Sequence, residues 1–323
     1  MTIDAPVRPE ATRDASTTPA FSFVIPAYNE ADDIIAALEA VGAQSLRPHE
    51  IIVVDDGSTD GTPARLREWD ARRQLKLIEH GRNRGAAAAR NTAIRAATGD
   101  VLVFLDADNM PPPDFLERLA AAYQRGADFV SVESRVANQR SVVGRFQQAH
   151  HEVCYGPGAR DRVGYTQAFS CRTQAAREAG FPDALPGFGG EDVEFFRRLL
   201  EKGYTPGADF SIEVLNQVPD TLPAFWRQYR ARGRAVPYIE RRLRRWPLSV
   251  VIARRALAAV KTVALGLAVA PALYGAAARA RRSPRGWRDL PAFWLLLQLH
   301  VLAHRAGEWE TVARMVRTRE AGA

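Results

Sequence analysis

The sequence predicts an α/β protein whose parallel sheet is covered by helices on both faces. Two observations carry that reading. Short apolar runs alternate with segments of helical spacing, and each run is apolar throughout instead of switching between apolar and polar. A strand buried on both faces has no solvent side to make it alternate, and parallel strands need crossover helices between them. A third observation concerns chemistry: the polar clusters at Tyr28 to Glu30, Asp55–Asp56 and Asp106 to Asp108 each follow the carboxyl end of an expected strand. That is where ligands bind in open α/β sheets.

The first strand is expected at residues 21–26 (FSFVIP) and a helix at 30–41. The second strand, 49–54 (HEIIVV), is closed by Asp55, Asp56 and Gly57, and the next helix opens in STDGTPARL with Ser58 or Thr59 as its N-cap. A third strand spans 75–79. The Ala-rich RGAAAARNTAIRAATG reads as a helix stopped by Gly99 as a C′ glycine, followed by a fourth strand at 101–105. Beyond Pro111 to Pro113 the pattern loosens into a strand at 128–133, a helix at 139–153 and a strand at 165–171. A Gly-rich loop, GFGG, then leads into a helix beginning near Glu191, and an arginine-rich helix is expected at 222–234. The first 19 residues lack apolar periodicity and a signal-peptide core, and read as a disordered leader.

The chain has 323 residues, 46% hydrophobic and 25% charged, the composition of a folded globular protein. Its two cysteines, Cys154 and Cys171, form no disulfide framework and suit a reducing compartment. The net charge of +7 is unevenly spread: from Phe225 onward there are 20 Lys and Arg against 5 Asp and Glu. A mildly acidic body with a basic, apolar tail points to an anionic membrane surface and away from nucleic acid. Residues 262–278 are 17 uncharged positions flanked by Arg254, Arg255 and Lys261 and by Arg279, Arg281 and Arg282. A bilayer span takes about 20 apolar residues, and this run contains Pro271 and two glycines, while 291–304 is shorter still. A hairpin dipping into the bilayer, or two helices lying on it, is expected, against a helical pair packed on the catalytic domain in solution.

Asp106 and Asp108 stand one residue apart at the end of a buried strand, with no basic partner nearby in sequence. Such a pair can hold a hard divalent cation through oxygen, with substrate phosphates completing the shell, and the cation would neutralise a departing diphosphate. The residues alone also allow a solvated turn. By contrast, His150, His151, Glu152 and Cys154 look like a metal cluster only on paper, because adjacent residues on a helix point in different directions.

In order and spacing, FVIPAYNEADDI, IIVVDDGSTDGT, NRGAAAARNTAI, GDVLVFLDADN and GGEDVEFFRRL resemble the family 2 glycosyltransferases of the non-processive, bacterial type. The resemblance covers residues 21–203 and implies the GT-A fold, an α/β domain on a mixed, mostly parallel sheet. It implies a glycosyltransferase domain over 20–236, with a nucleotide-binding half at 20–110 and an acceptor half at 111–236; the tail, 237–323, resembles the family only loosely, and its composition predicts basic, apolar helices associated with the membrane. It further implies that Pro26, Tyr28 and Glu30 border the nucleoside and that Asp56 binds the base edge. Asn83, Gly85 and Arg90 would lie near the ribose and phosphates. Asp106 would touch ribose or a metal-bound water, and Asp108 would ligate Mn²⁺ or Mg²⁺ directly. Glu191 would bind the acceptor and Asp192 would be the general base. For these residues the sequence also allows plainer roles: a helix cap for Asp55 or Asp56, a helix-entry turn for Gly85, a surface ion pair for Arg90. Near a helix N-terminus Asp192 is expected to keep a low pKa and to act by position. Processive relatives carry a QxxRW-like motif; Gln228 is followed here by YRARG, without the tryptophan, which favours single-sugar transfer. Arg227, Arg230, Arg232 and Arg234 could clamp a diphosphate or a lipid phosphate.

The expectation is therefore an inverting, metal-dependent enzyme moving a sugar from a nucleotide-diphosphate sugar, UDP-sugar by default, to a hydroxyl acceptor that is lipid-linked or part of a cell-envelope glycan. It would work at the cytoplasmic face of the membrane. A sugar-phosphate nucleotidyltransferase would need a Gly-rich basic loop after the first strand, where this chain has the acidic AYNEADD. A non-catalytic membrane-bound sugar-nucleotide binder is the alternative from another class.

Overall fold

The structure, a computed structural model, describes residues 18–73, 75–155, 168–182, 190–267 and 269–320. In chain order its elements are β1 (Phe21–Ala27), α1 (Ile34–Gly42), β2 (Glu50–Asp55), α2 (Thr62–Arg73), β3 (Lys76–Glu79), α3 (Ala86–Ala96), β4 (Val101–Phe104), β5 (Asn109–Met110), α4 (Phe115–Gln124), β6 (Phe129–Val136), α5 (Val142–Tyr155), β7 (Phe169–Arg172), α6 (Thr173–Ala179), α7 (Glu191–Glu201), β8 (Pro206–Asn216), α8 (Leu222–Tyr238), α9 (Leu248–Leu267), α10 (Val269–Ala280) and α11 (Leu290–Glu320). The expected leader falls almost wholly outside the described residues, as do residues 165–167 of the expected strand at 165–171 and most of the GFGG loop.

The described residues divide into two compact units, the first made of residues 18–73, 75–135, 168–182 and 191–217 and the second of 136–155, 190, 218–267 and 269–320. Unit 1 holds one eight-stranded sheet in the order β3-β2-β1-β4-β7-β6-β8-β5. The pairs β1–β2, β1–β4 and β2–β3 are parallel, whereas β4–β7, β6–β7 and β5–β8 are antiparallel. Alternate residues of β1 and β4 supply the two faces. Phe21, Phe23, Ile25, Val101 and Val103 pack with Leu38, Leu66, Phe115 and Leu119, while Val24, Leu102 and Phe104 pack with Ala89, Ala93, Phe169 and Phe195. That double burial is why the strands read as continuous apolar runs.

Four local expectations need correction. The first helix begins at Ile34, not at residue 30, which leaves Glu30 in the loop ahead of it; its carbonyl accepts the amides of Asp33 and Ile34. Helix α2 begins at Thr62, where the side chain of Asp60 accepts the Thr62 amide at 2.9 Å; Ser58 and Thr59 instead bond to Asn29. Gly99 is no left-handed cap. A Cβ there would stand 2.5 Å from Ser22 Oγ and 2.7 Å from the carbonyl of Ala20, so the position is glycine for close approach to the first strand. Strands β5 and β8 were not expected at all, although buried Ile212, Val214 and Asn216 alternate with exposed Ser211, Glu213 and Leu215.

Unit 2 is helical. Phe146 of α5, Phe225 and Tyr229 of α8, Ala276 and Ala280 of α10, and Phe293, Leu296 and Ala303 of α11 form its core. The expected boundary at residue 237 falls inside α8, and α8 belongs with the tail helices because its apolar face packs on α11. The uncharged run at 262–278 is divided between α9 and α10, and no helix among the described residues is long and apolar enough to cross a membrane. The 291–304 run lies in α11, where Phe293, Leu296 and Ala303 face the core of the unit.

Candidate active site

The carboxyl ends of β1, β2 and β4 and the start of α7 carry most of the residues singled out by sequence, all within unit 1. Pro26 pairs with Val54 in the β1–β2 register, and Tyr28 follows β1 with its ring partly exposed. The β1 and β2 loops are stitched together. The Asn29 amide donates to Ser58 Oγ at 2.9 Å, the Thr59 amide to Asn29 Oδ1 at 2.8 Å, and the Glu30 amide to Thr62 Oγ1 at 2.8 Å. Asn29 takes φ of 58°, a left-handed conformation that asparagine tolerates better than most residues.

Asp56 is buried and its carboxylate faces inward. It accepts the amides of Arg84 and Gly85 at 3.0 and 2.7 Å and lies 2.6 Å from His80 Nδ1, whose Nε2 lies 3.1 Å from Thr92 Oγ1. Asp56 therefore anchors the entrance to α3, and any contact with a base edge would share oxygens already engaged. Asp55 accepts the Ser58 amide at 3.3 Å and closes its own turn. Asn83 Oδ1 takes the Gly85 amide at 3.1 Å, and Gly85 has φ of 92°, a value that favours glycine. His80 and Thr92 went unnoticed in the sequence: His80 follows the carboxyl end of β3 but has no carboxylate beside it beyond Glu79, and Thr92 lies inside α3.

Arg90 is the hub. It lies on the sheet side of α3 and is buried, so it is not a surface ion pair. Its Nη2 donates to Asp106 Oδ1 at 2.7 Å and its Nη1 to Glu191 Oε1 at 3.1 Å. Burial alone would lower the Arg90 pKa, but Asp106 and Glu191 outweigh it and hold the guanidinium charged. The missing basic partner of Asp106 thus comes from a helix earlier in the chain, and the same side chain reaches the head of α7.

Asp108 has no such partner. Its Oδ1 is shut off from solvent without a hydrogen-bond donor. Burial first, then the charges of Asp106 and Glu30, push its carboxyl well above the ordinary range. Glu30 is raised to about 7 by burial and by Asp33, Asp106 and Asp60. Asp192 is raised to about 6, by burial and by Glu191, with the Val193 amide pulling the other way. This corrects the expectation of a low pKa: desolvation and a like charge exceed the helix-terminus effect.

The residues fit a divalent cation by one direct observation, the orphaned Asp108 Oδ1 beside other acids. Among the described residues no three His, Cys, Asp or Glu side chains converge as a ready-made metal cage. That suits a cation held by one or two carboxylates with substrate oxygens. The histidines near α5 do not form one either. His150 stacks on Phe146 with ring centroids 5.7 Å apart and accepts from Arg279 at 2.9 Å, inside unit 2. Arg230 and Arg234 are engaged by Glu310, and Arg232 lies over the Tyr229 ring.

A sheet of this order with carboxylates gathered at its strand ends is the arrangement of a GT-A type domain. The profile described as Glycosyl transferase family 2 matches residues 22–181, and the chain belongs to that family. Glycosyltransferase AglE of Haloferax volcanii is 32% identical over 197 residues, 59% of this chain and 64% of that protein. The UDP-Glc:alpha-D-GlcNAc-diphosphoundecaprenol beta-1,3-glucosyltransferase WfgD of Escherichia coli is 32% identical over 126 residues, 39% of this chain and 49% of that one. The chain thus spans less than two thirds of the length of these curated relatives. The mannosyltransferase PcManGT from Pyrobaculum calidifontis, solved in complex with GDP-Man and Mn²⁺, matches with a TM-score of 0.59 at 21% identity, over 95% of this chain and 91% of that one. At that identity the likeness is one of fold, and the fold is GT-A.

Proposed function

We propose that this chain transfers a single sugar, with inversion, from a nucleoside-diphosphate sugar to a hydroxyl acceptor, in a metal-dependent reaction. The observation that carries the reading is the contrast at the strand ends: Asp106 is neutralised by Arg90, while Asp108 beside it has a buried oxygen without a partner. Asp108 would hold Mn²⁺ or Mg²⁺, which when bound neutralises the charge gathering on the departing diphosphate. Pro26, Tyr28, Glu30 and the Asp56-anchored loop of Asn83 and Gly85 would receive the nucleoside and its phosphates. UDP is the leading choice, supported by the UDP-Glc in the name of WfgD, and GDP-Man in the PcManGT complex keeps GDP in the panel.

Asp192 is the base. Raised to about 6, it is ionised at neutral pH yet far more basic than a free aspartate, as a group that takes a proton from an alcohol must be. Taking that proton while the acceptor oxygen attacks the anomeric carbon opposite the leaving diphosphate gives inversion. Arg90 fixes Glu191, the neighbour of this base, to Asp106, so the acceptor side and the donor side share one guanidinium. The measurement is release of nucleoside diphosphate from UDP-, GDP- and dTDP-sugars with Mn²⁺, Mg²⁺ or EDTA. Metal-dependent release from one donor, lost by about 10³-fold in Asp108→Asn, supports the reading. No metal-dependent release and no thermal shift with any donor would return the chain to a non-catalytic binder.

A lipid-linked acceptor met at an anionic membrane surface completes the proposal. It is supported by the diphosphoundecaprenol in the name of WfgD and by the charge arrangement of unit 2. There Glu240, Asp289, Glu308 and Glu310 are each ion-paired with arginines, which leaves the cationic surplus to the rest of the unit's surface. Leu257, Val260, Val263, Tyr274, Trp287 and Leu295 are exposed in the same unit, and Arg281 lies over Trp287. Aromatic and aliphatic side chains among cations are what a helix lying in an anionic interface presents. Sedimentation with phosphatidylglycerol vesicles but not phosphatidylcholine vesicles is the expected result, weakened in Trp287→Ala; equal indifference to both would remove the membrane from the account.

A further inference from the structure

Unit 2 buries three arginines among its described residues, and acids match two of them. Arg145 meets Asp289 at 2.7 Å, and Arg255 meets Glu240 and Glu308, each at 2.7 Å. Arg279 of α10 is the exception. It is only 8% exposed, and its partners are neutral. Its Nη1 donates to the Gly275 carbonyl at 2.8 Å, and its Nε and Nη2 reach His150 Nδ1 of α5 at 3.1 and 2.9 Å. No carboxylate among the described residues bonds to it. Burial lowers its pKa and Arg282 adds to that; the Cys154 thiol and Tyr229, both uncharged at neutral pH, oppose the shift. A buried charge without a counter-charge is costly to keep.

The surroundings add to the imbalance. The His150 ring lies 4.7 Å from that of His300 on α11, and the His300 ring 4.2 Å from that of Tyr229 on α8. Arg232, which is exposed, stands over Tyr229 at 5.1 Å and gives the cluster a cation at the solvent. Burial first, then neighbouring groups that include Arg279 and Arg232, push His150 well below its ordinary range and His300 to about 3. His300 Nδ1 is shut off from solvent without a hydrogen-bond partner. Four helices thus gather two guanidiniums and two neutral imidazoles, and no carboxylate among the described residues bonds to any of them.

We propose that this cluster is an anion site for a phosphoryl group, held by Arg279 and Arg232 with the imidazoles of His150 and His300 beside them. It lies within unit 2 and does not depend on the metal-dependent reading of unit 1. The guanidinium fork matches phosphate oxygens. A carboxylate would bring one charge, whereas a phosphate monoester brings three acceptor oxygens and close to two charges, which suits two arginines and an imidazole nitrogen in want of a partner. Inorganic phosphate and the phosphate headgroup of a lipid present the same chemistry, and the experiment separates them.

The test is calorimetric titration of the full chain with inorganic phosphate, in EDTA so that no metal carries phosphate to the acids of unit 1. Flotation follows, with vesicles of phosphatidic acid or, at matched surface charge, phosphatidylglycerol. Wild type is compared with Arg279→Gln and Arg232→Gln, each checked by thermal melting. Arg279→Gln should weaken binding by about 10- to 100-fold, and Arg232→Gln by about 3- to 10-fold. Response to inorganic phosphate assigns the site to the free ion. Preference for phosphatidic acid without that response assigns it to a lipid headgroup, and either upholds the proposal when the variants lose it. Without phosphate, Arg279→Gln should melt no lower than wild type, since it removes an unmatched buried charge; a lower melt with unchanged binding would make Arg279 structural and overturn the proposal. Should Arg279→Gln fail to fold, Arg232→Gln decides alone: weaker binding upholds the site and unchanged binding overturns it. No binding of phosphate and no preference for phosphatidic acid, or equal binding by wild type and both variants, also overturns it.

Discussion

The acids at the strand ends of unit 1 and at the head of α7 are treated in the opposite way from the buried acids of unit 2. In unit 2, Asp289 receives two bonds from Arg145, at 2.7 and 2.9 Å, and Glu308 lies within 2.7 Å of both Arg255 and Arg305. The Arg145 bonds hold the Asp289 carboxyl below its ordinary range. Burial pushes Glu308 up, but hydrogen bonds from His304 and Arg305 and the charge of Arg255 bring it below the ordinary range as well. In unit 1, Glu30, Asp108 and Asp192 are all raised, with burial as the leading cause and other acids adding to it. The sign of the shift separates scaffold from site: a paired acid has been given what it needs, and an unpaired one is waiting for a ligand or a proton. Arg90 divides the acids of the site, because it bonds to Asp106 and Glu191 and to neither Asp108 nor Asp192.

The sharpest way to break this contrast is to remove one acid of each kind. Asp192→Asn should lower kcat by about 10²- to 10⁴-fold, the span of a positioned general base, while Mn²⁺ and nucleotide binding stay intact. An activity loss shared by kcat and metal affinity would move Asp192 from base to structural acid. Asp289→Asn should do the reverse. It leaves the buried Arg145 uncompensated and should cost about 3–5 kcal/mol of stability in denaturant unfolding, with metal binding unchanged in the folded fraction.

How much of this was legible in the sequence follows from distance along the chain. Strands β1 to β4 and the acids beyond them could be read because each strand and its terminal cluster are contiguous, and period and composition survive in a local window. The bond from Arg90 to Glu191 joins residues 101 positions apart, and nothing local marks it. Strand β8 was legible in principle, through the alternation of Ile212, Val214 and Asn216 with polar or exposed neighbours, but its pairing with β5, over a hundred residues earlier, was not. The raised pKa of Asp192 was misjudged because a helix terminus is visible in sequence and desolvation is not. What α11 packs against was hidden for a similar reason: α5, α8 and α10, which cover its apolar face, lie far from one another along the chain.

A smaller effect comes from pH. Glu30, raised from 4.5 to about 7, and Asp192, raised from 3.8 to about 6, bind protons more tightly in the fold than in the unfolded chain. Their contribution therefore favours folding at low pH and is lost as pH rises from about 4 to about 7. The depressed Asp289 and Glu308 act with the opposite sign, stabilising above their unfolded values and losing that stabilisation as pH falls below them. Without metal, Glu30→Gln should flatten the decline in stability between about pH 5 and 7 and leave the acid side untouched. An unchanged slope would mean that Glu30 is not strained. The same raised base predicts that kcat climbs with pH through about 6.

The most direct test of the whole account is a thermal melt of wild type and Asp108→Asn at pH 8, each alone and with Mn²⁺ plus UDP or GDP. Alone, the variant should melt higher, because an amide removes the cost of ionising a carboxylate that burial and the charges of Asp106 and Glu30 disfavour. With Mn²⁺ and the nucleotide, wild type should rise and the variant should not follow. A variant that melts lower than wild type without metal, and still responds to Mn²⁺ and nucleotide as wild type does, would show that Asp108 belongs to the scaffold.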